Sequence, residues 1–372
     1  MAGSLIRHIE EVIRPGSLPK PPRPHRQPLQ RPAPDQDPCA PDQADGPAAW
    51  RRRRLLQAGA GSLLAGSGLA LGWRRQGSAL AEGMAIEHDH TATPETDDLP
   101  FDPQRILRSF QRGRLIEENG RSIRLFEVEA RSITIPLGAG VRFKAWSLDG
   151  RVPGPTLRAR EGERIRVVFR NGDSTSHSLH FHGVHPAAMD GIEPVRRGRT
   201  AIYEFDLPRA GLYPYHCHVA PVTRHVGKGL YGLLLVDPVS PRPPADELVL
   251  VMGGYDLDND GRNELYAFNG IPDAYMGRPI RIRQNALVRI HLLNMTELEA
   301  PLTFHLHGNE FRIVNTGSEP GGGTLSDVVT LGIAERRILE VRYPFPGRYM
   351  LHPHQDPIAE RGCMGLFEVL PA

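Results

Sequence analysis

The chain has 372 residues, enough for two domains of ordinary size, each with a full core. Its 45 Lys and Arg stand against 43 Asp and Glu, and twelve of the basic and six of the acidic residues fall in the first 81 positions. The remaining 33 basic and 37 acidic residues leave the rest of the chain at about −4, which argues against nucleic acid as a partner, and three cysteines build no disulfide framework.

Residues 1–50 hold eleven prolines and show no helical or strand period, a composition that predicts disorder. Arg51-Arg52-Arg53-Arg54-Leu55-Leu56-Gln57 then precedes a Gly/Ala/Leu stretch ending at Trp73, too short and too mildly apolar to span a membrane. Ala79-Leu80-Ala81 supplies a small-residue cleavage site. Paired arginines before such a run resemble a twin-arginine export signal. Residues 1–81 are therefore read as a leader. The expected mature form is periplasmic or extracellular and carries no stable membrane span; a retained anchor is the alternative. The fifty residues ahead of the arginines are long for such a signal, and a later start codon would account for them. Residues 82–104 read as a flexible linker, with His88 and His90 in a solvated tail.

Strand signatures follow, separated by Gly, Asp, Asn and Pro. In the first half they are Arg124–Glu129, Val141–Trp146, Arg164–Phe169, Ala201–Phe205 and Leu230–Val236. Pro241, Pro243 and Pro244 mark a break. The second half adds Leu248–Met252, Arg281–Arg283, Val288–Leu293, Phe311–Val314, Ile338–Arg342 and Leu366–Val369. No long amphipathic helix intervenes, so the expected fold is all-β: two antiparallel Greek-key β-sandwich domains at 105–240 and 245–372. Asp256-Leu-Asp258-Asn-Asp260-Gly261 begins like a calcium loop, but its twelfth position is Ala267 where a bidentate glutamate is needed, which favours a plain turn.

An internal repeat supports the division. Gly211-Leu-Tyr213-Pro-Tyr-His216-Cys217-His218 matches Gly347-Arg-Tyr349-Met-Leu-His352-Pro-His354, and upstream His180-Phe-His182-Gly183 matches His305-Leu-His307-Gly308. The copies differ instructively: His177 and Cys217 of the first have Leu302 and Pro353 as counterparts in the second. A thiolate with two imidazoles is the ligand set of an electron-transfer copper site. Successive side chains of an extended segment alternate faces, so the histidines flanking Cys217 point away from it. Electrons then have a short path along the backbone. Of the twelve histidines beyond the leader and linker, eight sit in four His-x-His pairs, and His177 and His225 complete the cysteine site; His185 and His291 are left without a role. Cys363 reads as a small buried hydrophobe.

These motifs, with Asp149-Gly150-Arg-Val152-Pro153-Gly154-Pro155-Thr156, resemble the multicopper oxidases over about residues 105–372, and most of all their two-domain, laccase-like members with the type 1 copper in domain 1. The resemblance implies two cupredoxin domains. It implies a type 1 copper on His177, Cys217 and His225, with Leu230 at the axial position where relatives often carry methionine. It implies a type 2 copper on His180 and His305, and two type 3 coppers on His182, His216, His218, His307, His352 and His354. A homotrimer sharing trinuclear clusters between subunits follows from the same resemblance. Its reaction takes single electrons from a small reducing substrate, a phenol or a metal ion, and reduces dioxygen to water. Asp190 matches the family's acidic position near the cluster and is the candidate proton relay, a plain turn aspartate being the alternative; Asp356 and Glu360 are weaker candidates.

Two other functions compete. Copper nitrite reductases share the two-domain plan, and His225-Val-Gly-Lys-Gly229-Leu230 resembles their type 1 loop. Their catalytic aspartate, however, is replaced here by His180, and nitrite chemistry leaves the extra His pairs idle. A copper-free envelope scaffold of the same fold leaves all the ligands unexplained.

Overall fold

The computed structural model describes residues 99–317 and 323–372. The leader with its arginine motif, and His88 and His90, lie outside the described residues. The chain enters through a helical turn, α1 (Pro103–Ile106), whose start is fixed by the Asp102 carboxylate accepting the Gln104 N–H at 3.0 Å. Ten strands follow: β1 (Phe110–Gln111), β2 (Arg114–Glu118), β3 (Arg121–Gly138), β4 (Val141–Leu148), β5 (Thr156–Arg160), β6 (Arg164–Asn171), β7 (His180–Phe181), β8 (Thr200–Asp206), β9 (Gly211–His216) and β10 (Tyr231–Asp237). Between β9 and β10 sits α2 (Val222–Gly227). The strands form two sheets, β1-β5-β10-β9-β7 and β2-β3-β6-β8, with β4 on β3. Phe126, Val128, Val167, Phe169 and Phe205 of one sheet meet Leu157, Tyr215, Leu234 and Val236 of the other in a buried core.

The second half repeats this layering. Its strands are β11 (Asp246–Tyr255), β12 (Leu265–Phe268), β13 (Arg278–Arg283), β14 (Val288–Met295), β15 (Leu302–Leu306), β16 (Phe311–Ile313), β17 (Thr324–Ser326), β18 (Val328–Leu331), β19 (Arg336–Val341), β20 (Gly347–His352) and β21 (Gly365–Leu370). Two helical turns, α3 (Ala274–Gly277) and α4 (Asp356–Ala359), punctuate them. The sheets run β12-β11-β14-β19-β16-β17 and β13-β21-β20-β15-β18 around a core that includes Cys363. Antiparallel pairs dominate. Five pairs are parallel (β1–β5, β5–β10, β3–β6, β11–β14 and β13–β21), because the chain crosses to the facing sheet between their members.

The described residues belong to one unit, joined by a third apolar cluster. Along β11, Leu248, Leu250 and Met252 face the second core, while Val249 and Val251 face Phe143, Val226, Tyr231 and Leu233 of the first half. Burial on both faces explains why the β10 and β11 sequences read as unbroken apolar runs. The entry segment straddles the halves: Leu107 lies in the second core and its carbonyl accepts the Val249 N–H at 2.8 Å, whereas β1 pairs with β5.

A buried ionic seam lies beside this cluster. Arg158 forks onto Asp237 at 2.7 and 2.8 Å and reaches Glu247 at 2.6 Å. Arg289 bonds Glu340 at 2.8 Å, and His291 Nε2 lies 3.4 Å from Glu247. Burial pushes the Glu247 carboxyl up, but His291 and Arg158 outweigh it and hold it well below the usual carboxylate range. His291 thereby has a structural place. Among the described residues no helix is long and apolar enough to cross a membrane.

Candidate metal centres

Strand β9 ends at His216 and delivers Cys217 into the first core, fully buried. The Cys217 N–H donates to the Leu230 carbonyl at 3.0 Å, which closes the loop that carries α2. His225, on that helix, brings Nδ1 to 3.2 Å from Cys217 Sγ and 3.1 Å from His177 Nδ1. The Ser178 N–H points at the sulfur at 3.4 Å. Leu230 packs in the same apolar cluster as Cys217 and offers no donor atom.

Asp173 orients the triad from behind. Its Oδ1 faces His177 Nε2 at 3.5 Å, favouring the ring proton on that side, and Nδ1 turns toward His225. Burial pushes the Asp173 carboxyl up, but the Ser132 hydroxyl, the Thr175 N–H and His177 outweigh it and hold it low. Burial pulls His177 down, takes His225 down to about 4, and raises the Cys217 thiol. Two neutral imidazoles and a thiol too dry to ionise unaided are a set that a soft cation completes.

The first histidine cluster lies on the other side of the Cys217 backbone. β7 pairs with β9 so that His180 faces His216. His182 Nε2 and His216 Nε2 meet at 3.1 Å, and the His218 ring centroid is 5.0 Å from that of His180. Each outward nitrogen is tied to a carbonyl: His180 Nδ1 donates to Asp190 O and His216 Nδ1 to Cys217 O, both at 2.9 Å. The inward nitrogens are left bare. Burial takes His182 down to about 3, with His216 adding to it, and takes His216 down to about 4.

The second cluster is its copy. His305 faces His352 across β15–β20, and His307 Nε2 meets His352 Nε2 at 3.0 Å. His305 Nδ1 donates to Asp327 O and His352 Nδ1 to Pro353 O, both at 2.8 Å. Gly183 and Gly308, at φ +121° and +67°, serve the same purpose in each: an added Cβ lands 3.1 Å from the Tyr213 ring and 2.8 Å from the Tyr349 ring. The second cluster opens into a cleft of about 350 Å³, also lined by Asp356 and Glu360. His218 and His354 are exposed. The nitrogens of His180, His182 and His216 gather as one group and those of His305, His307 and His352 as another.

Models of multicopper oxidase domains match residues 129–241 and 241–372, one on each half. The chain belongs to the multicopper oxidase family. A solved multicopper oxidase is similar at 42% identity and a TM-score of 0.73, over 74% of this chain and 99% of that one. A copper-containing nitrite reductase of Neisseria meningitidis is 30% identical over 270 residues, 65% of this chain and 68% of the relative. An iron transport multicopper oxidase of Kluyveromyces lactis is 32% identical over 181 residues, 45% of this chain and 27% of the relative. The residues present fit the copper that such a family holds. The buried Cys–His triad is a soft donor set, and in each histidine cluster inward ring nitrogens converge while two of the rings, His180 and His216 or His305 and His352, are held by backbone carbonyls.

Of the histidines expected to bind metal, His177 and His225 lie in the triad, His180, His182, His216, His305, His307 and His352 converge in the two clusters, and His218 and His354 lie beside them with ring centroids 5.0 and 5.3 Å from those of His180 and His305. Asp190 Oδ1 lies 3.1 Å from His180 Nδ1, while its backbone N–H closes the 3₁₀ turn Ala187–Met189. His185 sets its ring nitrogens on the Phe181 and Pro186 carbonyls at 2.9 and 3.1 Å. The Asp256 loop gathers Asp258, Asp260 and Glu264, but its oxygens accept N–H groups of the loop itself, at Gly261 from Asp256, Asp260 from Asp258 and Leu257 from Glu264. Sequence reasoning missed Asp173, which reads only as part of an Asn-Gly-Asp breaker. It also missed Trp146, whose ring centroid lies 4.7 Å from that of His225 and 5.0 Å from that of His177.

Proposed function

We propose that this chain is a laccase-like oxidase that couples one-electron oxidation of a reducing substrate to four-electron reduction of dioxygen to water. The observation that carries this reading is the pairing of one buried Cys–His triad with two matching, open histidine clusters. His177, Cys217 and His225 would hold a type 1 copper; His180 and His305 a type 2 copper; His182, His216, His218, His307, His352 and His354 a type 3 pair. Bound there, copper supplies one-electron redox chemistry at the triad and oxygen reduction at the clusters.

The chain's own residues set the rest. Cys217 links the triad to His216 and His218 through adjacent backbone, and the His216 ring bonds the Cys217 carbonyl at 2.9 Å. Leu230, packed beside Cys217, offers no donor atom, which would raise the potential of a copper held by the triad. Asp190, beside His180, is placed to pass protons inward from solvent, with Asp356 and Glu360 on the corresponding side of the second cleft. Each cluster supplies one half of the trinuclear ligand set and is open, so the reading includes a homotrimer in which the first cluster of one subunit meets the second of the next. Exposed Val184 and Ile192 beside the first cluster and Phe345 near the second support such a contact. The export leader expected from the sequence fits an oxidase outside the cytoplasm.

Nitrite reduction is the second reading, favoured by the Neisseria relative. Oxygen uptake with a phenolic donor separates the two. The oxidase consumes about one dioxygen per four donors without releasing peroxide. Uptake that stays at background while nitrite is turned to nitric oxide overturns it.

A further inference from the structure

Both triad imidazoles are buried, His177 at 0% and His225 at 3% exposure, so a donor cannot stack on either. Trp146 is half-buried and in edge or tilted contact with both rings, which makes its indole the reachable aromatic surface over the triad. Cations surround it. Exposed Arg224, next to His225 in sequence, sets its guanidinium carbon 5.8 Å from the indole centroid. The Lys228 carbonyl accepts the Trp146 backbone N–H at 2.8 Å, but its ammonium lies 4.2 Å from the ring of Phe143, on the opposite face of β4. Exposed Arg142 and Lys144 share the Trp146 face of β4 by strand alternation.

Among the described residues Arg142, Lys144 and Arg224 form no ion pair with a carboxylate. Lys228, by contrast, is paired in charge with Asp256 of the loop that gathers Asp258, Asp260 and Glu264. A cuprous or ferrous ion approaching Arg224, Arg142 and Lys144 meets like charge, and an anion is drawn in.

We propose that Trp146 and Arg224 form the entry site for a small anionic aromatic reductant, a phenol bearing a carboxylate or sulfonate, whose ring lies against the indole and whose charge faces the Arg224 guanidinium, with Arg142 and Lys144 on the same face of β4. The proposal rests on the oxidase reading. Each phenol gives up one electron and its hydroxyl proton and leaves as a phenoxyl radical. Four such losses supply the four electrons and four protons that turn one dioxygen into two waters.

The sequence provides its own probe. Tryptophan occurs at positions 50, 73 and 146 alone, so the full chain carrying Trp50→Phe and Trp73→Phe reports solely from Trp146. The metal-free protein is titrated with 4-methoxybenzoate, with neutral 4-methoxybenzyl alcohol and with cationic 4-methoxybenzylamine, none of which exchanges electrons readily. Saturable quenching by the anion is expected, with Kd raised about tenfold by Arg224→Glu and about threefold by Arg224→Gln or by moving from low to physiological salt. On the copper-loaded enzyme the same variants raise KM for 4-hydroxybenzoate and leave kcat and the oxidation of a neutral phenol within about twofold. Equal binding of all three ligands, an unchanged Kd in a folded Arg224→Glu protein, or a response only to an acidic redox protein overturns the entry site. Saturable anion binding in a loaded protein that takes up no oxygen with any donor instead sinks the oxidase reading.

Discussion

Asp173 offers the sharpest test of how the triad is held. Asp173→Ala removes an acceptor that serves the Ser132 hydroxyl, the Thr175 N–H at 2.8 Å and His177 Nε2 at 3.5 Å. The Ser132 hydroxyl can rotate to another partner, while the His177 ring is fully buried and its Nε2, 3.5 Å from the Asp173 carboxylate, makes no full hydrogen bond. Stranding the half-buried Thr175 N–H and removing the carboxylate that faces the His177 ring predicts a loss of about 1–3 kcal/mol. The ring is also freed to turn or change tautomer, so copper at the triad weakens about 10–100-fold. Asp173→Asn keeps an acceptor oxygen and should lose less than half as much stability. Denaturant unfolding of the metal-free protein measures the first quantity, and chelator competition read through the blue absorption of the copper thiolate measures the second. An alanine variant with an unchanged unfolding midpoint and unchanged copper retention would refute the role assigned to Asp173.

Three further outcomes are expected. Subunits carrying His182→Ala and subunits carrying His307→Ala are each inactive alone, and co-refolding the two restores up to about a quarter to a third of the oxygen uptake if clusters are shared between neighbours; no recovery in mixed oligomers contradicts sharing. In the ionic seam, His291 and Glu247 are both held below their ordinary values of 6.5 and 4.5, so the unfolded chain takes up protons that the native one refuses. Stability therefore falls as pH drops below about 6.5 and again below about 4.5. Glu247→Gln should cost about 2–4 kcal/mol from pH 7 down to about pH 4.5 and progressively less below it, by urea unfolding; a gap that does not shrink below pH 4.5 rejects the linkage. Gly183→Ala and Gly308→Ala put a Cβ on backbone at φ +121° and +67° and against a tyrosine ring. Each should cost about 1–3 kcal/mol and loosen copper at its own cluster more than at the triad, by metal analysis after dialysis.

What the sequence made legible was local. Paired histidines two residues apart on a strand, and a cysteine between two more, carry their geometry in their spacing, because a strand end fixes which way each ring faces. The layered all-β plan was legible for the same reason, through period-two runs and Gly/Pro breaks. What escaped was held by contacts distant in sequence. Trp146 lies 79 positions before His225 and meets it only because β4 passes over α2. Asp173 looks like turn chemistry until His177 is seen to face it. His291 stays unexplained until β11 brings Glu247 alongside β14. The parallel pairs depend on where the chain changes sheets, which no single strand encodes.

Copper per chain on the copper-loaded protein, taken with its mass in solution, tests the central claim most directly. The account predicts about four coppers per chain in a trimer, one at the Cys–His triad and three shared among the histidine clusters of adjoining subunits. About two coppers per chain, or a monomer that holds the triad copper alone, contradicts it.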